Sequence, residues 1–119
     1  MKYPTILSHE HAGSSAILQL KIVHELDAFA GHFDTFPIIP GVVQIQWALH
    51  YFQQIMIPKD GPAVWSITKI SALKFQHVIT PDSIVNLQLS YDEARLCLTF
   101  KVSNDEHNYS SGKLFLEKN

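Results

Sequence analysis

Between Ser15 and Val23 the chain reads "SAILQLKIV", with apolar side chains at every second position: Ala16, Leu18, Leu20 and Ile22. A period of two places them on one face of a half-buried strand. "HAGS" just upstream supplies a turn, so Thr5–His9 is the expected hairpin partner. The alternation stops in residues 24–40, which hold Gly31, Pro37 and Pro40. An irregular stretch of that length in a compact domain usually carries function. From Gly41 to Met56, "GVVQIQWALHYFQQIM", apolar residues occupy nearly every side of a helical turn. Pro40 suits a helix start, and Pro58 with Asp60-Gly61-Pro62 stops it. A helix apolar on most faces is expected to be buried.

The remainder returns to alternation. "VWSITKISALKF" (Val64–Phe75) places Trp65, Ile67, Leu73 and Phe75 on one face. Thr80-Pro81-Asp82-Ser83 breaks the chain. "IVNLQLSY" aligns Val85, Leu87, Leu89 and Tyr91, and Asp92-Glu93 makes a tight turn. "RLCLTFKV" aligns Leu96, Leu98, Phe100 and Val102, "SNDEHN" turns again, and "YSSGKLFLE" ends the chain. The expectation is a hairpin, one buried helix and then three long antiparallel strands. One twisted sheet wrapped around one apolar helix accommodates this, an α+β class.

Composition narrows the field. With 119 residues, a single domain over 1–119 is expected, large enough for one core without staples. Charged residues make up 17% and the net charge is −2, with no basic stripe, which speaks against nucleic acid. The single Cys97 excludes an internal disulfide and suits a reducing compartment. The start "MKYPTILSHEH" lacks the apolar core of a signal peptide, and no apolar run spans a membrane. A cytoplasmic location is the expectation.

Candidate chemistry is concentrated in "GHFDTFPIIPGVVQIQWA", Gly31–Ala48. His32 stands on a loop ahead of a Pro-Gly helix start, and Gln46 follows inside the helix. Seven histidines are many for this length. His9-x-His11 reads as a polar hairpin flank, since no further ligand completes a metal set by spacing; no metal is expected. His50, four residues beyond Gln46, shares its helical face and reads as a packed histidine. Cys97 lies opposite the Leu96–Leu98–Phe100 series with no activating neighbour in sequence. Trp47 and Trp65 read as core.

These residues resemble a known family. Gly31-His32-Phe33 and Pro37-Ile38-Ile39-Pro40-Gly41 are similar to the G-H-F-P and P-[IL]-x-P-G motifs of the 3-hydroxyacyl-acyl carrier protein dehydratases, the FabA/FabZ group. The spacing from His32 to position 46 matches that family's histidine-to-acid spacing, and "LKFQHVITPDS" is similar to its strand and following turn. The resemblance covers nearly the whole chain, and "PGVVQIQWA" looks most like small dehydratases of bacterial aryl-polyene clusters. It implies a hotdog fold, an antiparallel sheet around one long helix. Two positions depart from the pattern: Asp34 stands where the family has proline, and Gln46 where it has Glu or Asp.

The resemblance also implies the chemistry. Dehydration of a 3-hydroxyacyl thioester to the trans-2-enoyl thioester needs a base beside the carbonyl, and His32 would supply it. The Gly41 N–H at the helix N-terminus would hold the developing oxyanion. Phe33, Val42, Val43 and Ile45 would line the acyl path. The family's third group is an acid reaching in from the partner subunit. Gln46 has no titrating proton, so it can orient a water or the hydroxyl but cannot be a general acid. Asp34 is the alternative acid.

No cofactor is implied. The implied partners are an acyl carrier protein, for which the sequence shows no obvious basic dock although Lys69, Lys74 and Arg95 could gather in space, and a second hotdog chain. That chain makes a homodimer or a related heterodimer with a composite site. The competing readings are a hotdog acyl thioesterase and a non-catalytic acyl-thioester binder or scaffold subunit, for which Gln46 is the argument.

Overall fold

The computed structural model describes residues 3–23, 38–57 and 65–118. Strands β1 (Thr5–Ala12) and β2 (Ser15–Lys21) form a hairpin, followed by helix α1 (Gly41–Tyr51). Then come β3 (Trp65–Phe75), β4 (Ile84–Asp92), β5 (Cys97–Ser103) and β6 (Asn108–Lys118). They make one six-stranded antiparallel sheet in the order β1-β2-β4-β5-β6-β3. The α+β expectation holds, with one addition: the closing segment is itself a strand, so four strands follow the helix rather than three.

The alternation of the sequence is the reason for the sheet's two faces. Leu18 of β2 stands opposite Leu87 of β4, which stands opposite Val102 of β5. Ala16, Leu89 and Phe100 make the next row. All of these are buried, together with Ile45, Trp47, Ala48, Tyr51 and Phe52 from the helical segment. Residues between them, such as Gln88 and Thr99, face outward. The β1–β2 turn is tighter than "HAGS" suggests: only Gly13 and Ser14 lie outside the strands, and Gly13 takes φ +58, which glycine adopts without a Cβ penalty.

Helix α1 is not buried all round. Gln44, Ile45, Trp47, Ala48 and Tyr51 face the core, whereas Val42 is 63% exposed and Gln46 is also exposed. The helix packs on the sheet along one side only, and its other face lies at the surface. Residues Phe52–Met56 continue it as a π-helical turn, a wider winding rare outside special sites. The N-terminal segment straps this end: Tyr51 Oη donates to Pro4 O at 2.7 Å.

Three sequence expectations need correction. In β3 the pairing with β6 shifts register between Ile67 and Lys69 and again between Ser71 and Lys74, and Ala72 has φ +52. Each extra residue reverses the facing of the positions beyond it, so the second restores what the first reversed. Trp65 is core, whereas Leu73, beside Gly112 with Phe100, and Phe75, over Gly41, are exposed. The turn before β5 takes residues 93–96, longer than Asp92-Glu93, with Arg95 N donating to Asp92 Oδ1. Leu96, at φ +52, sits in that turn rather than on the strand face.

Candidate active site

The site is built where the chain enters α1. Pro40 sits at φ −61 and ψ 150, an extended conformation that proline pre-sets and that cannot extend the helix backward. Its carbonyl accepts from Val43 N at 3.1 Å and Gln44 N at 3.3 Å. No side chain caps this terminus and no acidic residue lies in the first turn. Neither Gly41 N–H nor Val42 N–H donates to a described residue. Two backbone donors at the positive end of the helix thus have no partner among the described residues, an arrangement suited to an anion or a developing oxyanion.

Ile39, just before the turn, is 3% exposed and is held on both sides. Its N–H donates to Ile79 O at 3.0 Å, and its carbonyl accepts from Gln44 Nε2 at 3.3 Å. Opposite the turn, β3 ends on Phe75, whose ring lies over Gly41. A Cβ added to Gly41 would stand 2.5 Å from Phe75 Cζ. Here glycine is required for close approach. Ile38, Val42, Leu73, Phe75 and Val78 are all exposed around this point. That is an apolar rim around polar donors, beside β3, one of the two edge strands of the sheet.

Of the residues expected at the site, Gly41 lies at the helix N-terminus. Val42 and Gln46 lie together on the exposed face, one turn apart, and Gln46 makes no hydrogen bond to a described residue. Ile45 belongs to the core and Val43 packs half-buried against it, so these three apolar residues do not form one wall within the chain. His32, Phe33 and Asp34 lie outside the described residues.

His50 is engaged elsewhere. Its ring stacks on Tyr3 at 3.5 Å and 2°. Desolvation lowers its pKa from 6.5, opposed by a hydrogen bond with Gln54. Trp47 and Trp65 are buried, as is Cys97. His11 Nε2 pairs with Gly13 O, and no cluster that could hold a metal exists among the described residues. Lys69 lies over the Phe115 ring and Arg95 pairs with Asp92; no contact among the described residues joins them to Lys74.

Sequence reasoning missed two residues here. Gln44, a polar side chain on the core side of an apolar helix, was the visible signal for one. Phe75 was hidden by the irregular pairing of β3. Two hollows, of about 460 and 370 Å³, lie on the outer sheet face around Ile17 and Gln88 and at the far helix end around Phe52 and Tyr91. Neither includes the turn at Gly41.

Known proteins share this fold. A chain of the dehydratase heterocomplex ApeI:P from Xenorhabdus doucetiae superposes with a TM-score of 0.84 at 34% identity, over 97% of this chain and 98% of that one. An uncharacterised protein from Erwinia carotovora subsp. atroseptica gives 0.80 at 28%, over 98% of each. The dehydratase domain of the polyketide PpsC from Mycobacterium tuberculosis gives 0.64 at 16%, over all of this chain and 46% of that one. At that identity the last likeness speaks for the fold. No curated protein matches the chain. Among the described residues, no helix is long and apolar enough to cross a membrane. The sheet and its helix are the hotdog fold, and the ApeI dehydratase family model matches residues 8–113. With the fold and that match agreeing over nearly its whole length, the chain belongs to the ApeI-like dehydratases of the hotdog class.

Proposed function

We propose that the chain dehydrates a 3-hydroxyacyl thioester carried on acyl carrier protein, in the cytoplasm, giving the trans-2-enoyl thioester. His32 takes the proton from C2. Negative charge passes to the thioester oxygen, where the Gly41 N–H receives it. The C3–O bond then breaks, and the hydroxyl leaves as water once protonated. The observation that carries this reading is the uncapped helix start at Gly41, ringed by exposed apolar side chains. A donor of this kind contributes on the order of 10²–10³ in rate.

The site is completed by a second hotdog chain on β3. In the single chain, β3 is an open edge whose Phe75 meets Gly41 at the start of α1, and Val42 and Gln46 are exposed on that helix. A chain covering that edge places Gln46 across the seam, in a composite site. Two copies of this chain would bring only glutamine there, which holds a water or the hydroxyl but donates no ionisable proton. A related partner bearing a carboxylate restores the acid. The relative named as the heterocomplex ApeI:P supports such a pairing.

The reading is tested by offering 3-hydroxyacyl-acyl carrier protein to the purified chain, alone and with a hotdog partner. Absorbance of a conjugated enoyl product is the expected result, abolished by His32→Ala. Thiol release instead assigns a thioesterase. Gln46 favours one second reading, a non-catalytic acyl-thioester binder, which the same experiment reveals as binding without turnover in either mixture.

A further inference from the structure

Gln44 and Ser110 are the buried polar side chains among the described residues, and Gln44 is only 3% exposed. Its Oε1 is buried without a partner. An orphaned amide oxygen costs stability, and an apolar side chain of the same length would avoid that cost. The other end of the amide shows what is gained. Gln44 Nε2 donates to Ile39 O, and Gln44 backbone N donates to Pro40 O. One residue thus holds two consecutive carbonyls.

Those carbonyls determine where the Gly41 N–H points. The Gly41 nitrogen belongs to the same rigid peptide plane as the Pro40 carbonyl. The plane before it carries the Ile39 carbonyl, and the proline ring fixes the φ angle between them. With both carbonyls held, and Ile39 N–H tied to Ile79 O, little freedom remains to turn the Gly41 N–H. We propose that Gln44 is a positioning residue that aims the Gly41 N–H at the developing thioester oxyanion. The proposal rests on the dehydratase reading above for what the donor meets. The clamp itself rests only on the geometry.

Gln44→Met separates positioning from packing, because it keeps the length and volume and removes the amide. Turnover of the 3-hydroxyacyl-acyl carrier protein, with whatever partner the wild type needs, is expected to fall about tenfold in kcat. That is a partial loss of the ~10²–10³ that such a donor supplies. KM is expected to stay within about twofold, and Tm to shift little, because removal of the orphaned oxygen offsets the Ile39 carbonyl's loss of its donor. Amide exchange gives a second readout: the Ile39 N–H, bonded to Ile79 O, should exchange several-fold faster in Gln44→Met. Unchanged kcat, or unchanged exchange at Ile39, overturns the proposal. If the wild type proves inactive on the thioester, the dehydratase reading falls, while faster exchange still upholds the clamp. If Gln44→Met and Gln44→Leu both fail to fold, Gln44 is a core residue and the positioning role is lost.

Discussion

The Phe75 ring lies directly over the backbone of Gly41, close enough that a single added methyl at Gly41 would strike it at 2.5–2.9 Å. This contact joins the end of the sheet's edge strand to the start of the helix. Because Phe75 is half-exposed, its ring can swing aside. Gly41→Ala is therefore expected to cost roughly 1–2 kcal/mol rather than unfold the chain, in the range of overpacking changes. In a Phe75→Ala background most of that cost should vanish. Urea unfolding of the four proteins of the cycle measures it, and an additive result would separate the two residues.

Gln46 lies on the exposed face of α1 without a hydrogen bond to a described residue. Gln46→Glu should leave stability within about 0.5 kcal/mol. Where the missing acid limits the rate, it should raise homo-oligomer turnover at least about tenfold, out of the ~10²–10⁴ that acid–base catalysis supplies. Steady-state assays of the chain without any partner check this. No gain would mean that another group already supplies the proton.

Ile70 is exposed on the open edge of β3 and pairs with Leu114 on its other side. A charge on an edge blocks strand pairing. On the proposed pairing through β3, Ile70→Lys should give monomer where the wild type pairs in light scattering, while leaving the far-ultraviolet circular dichroism intact. A surviving dimer would place the interface elsewhere.

Burial holds the His50 imidazole below its ordinary pKa of 6.5 where it stacks on Tyr3. The folded chain thus prefers the neutral ring, and the unfolded chain takes the proton first. The contribution is complete above about pH 6.5 and is lost as the pH falls toward the lowered folded value. Thermal melts from about pH 7.5 to about pH 5.5, bounds set around the unfolded histidine value, should show wild type losing more Tm than His50→Phe. Parallel curves would contradict this.

Tyr51 Oη donates to the buried Pro4 carbonyl. Tyr51→Phe leaves that carbonyl without its donor and should cost about 1–3 kcal/mol. Differential scanning calorimetry should report a drop on the order of 4 °C or more.

The strands were legible wherever one face is dry and the other wet, because a period of two then survives intact, as from Ala16 to Ile22 and from Val85 to Leu89. It misled in β3, where two bulges interrupt the period and Leu73 and Phe75, near the strand's end, are exposed at the helix start instead of lying in the core. The helix read as buried all round since apolarity does not tell a core from an interface. At the site, the proline-glycine turn announced Gly41 because few residues permit that geometry. Gln44 gave no such notice: its role depends on a carbonyl five residues away, visible only once the turn has folded back.

The two bulges of β3 have a further consequence. A strand that adds to this edge must match an interrupted ladder, with Thr68 and then Ala72–Leu73 out of step with β6. A regular strand meets gaps there, so indiscriminate stacking of sheets is discouraged. The irregularity that defeats simple alternation thus protects an exposed apolar edge from aggregating, and on the proposed pairing it would favour a partner whose own edge is irregular in the complementary way.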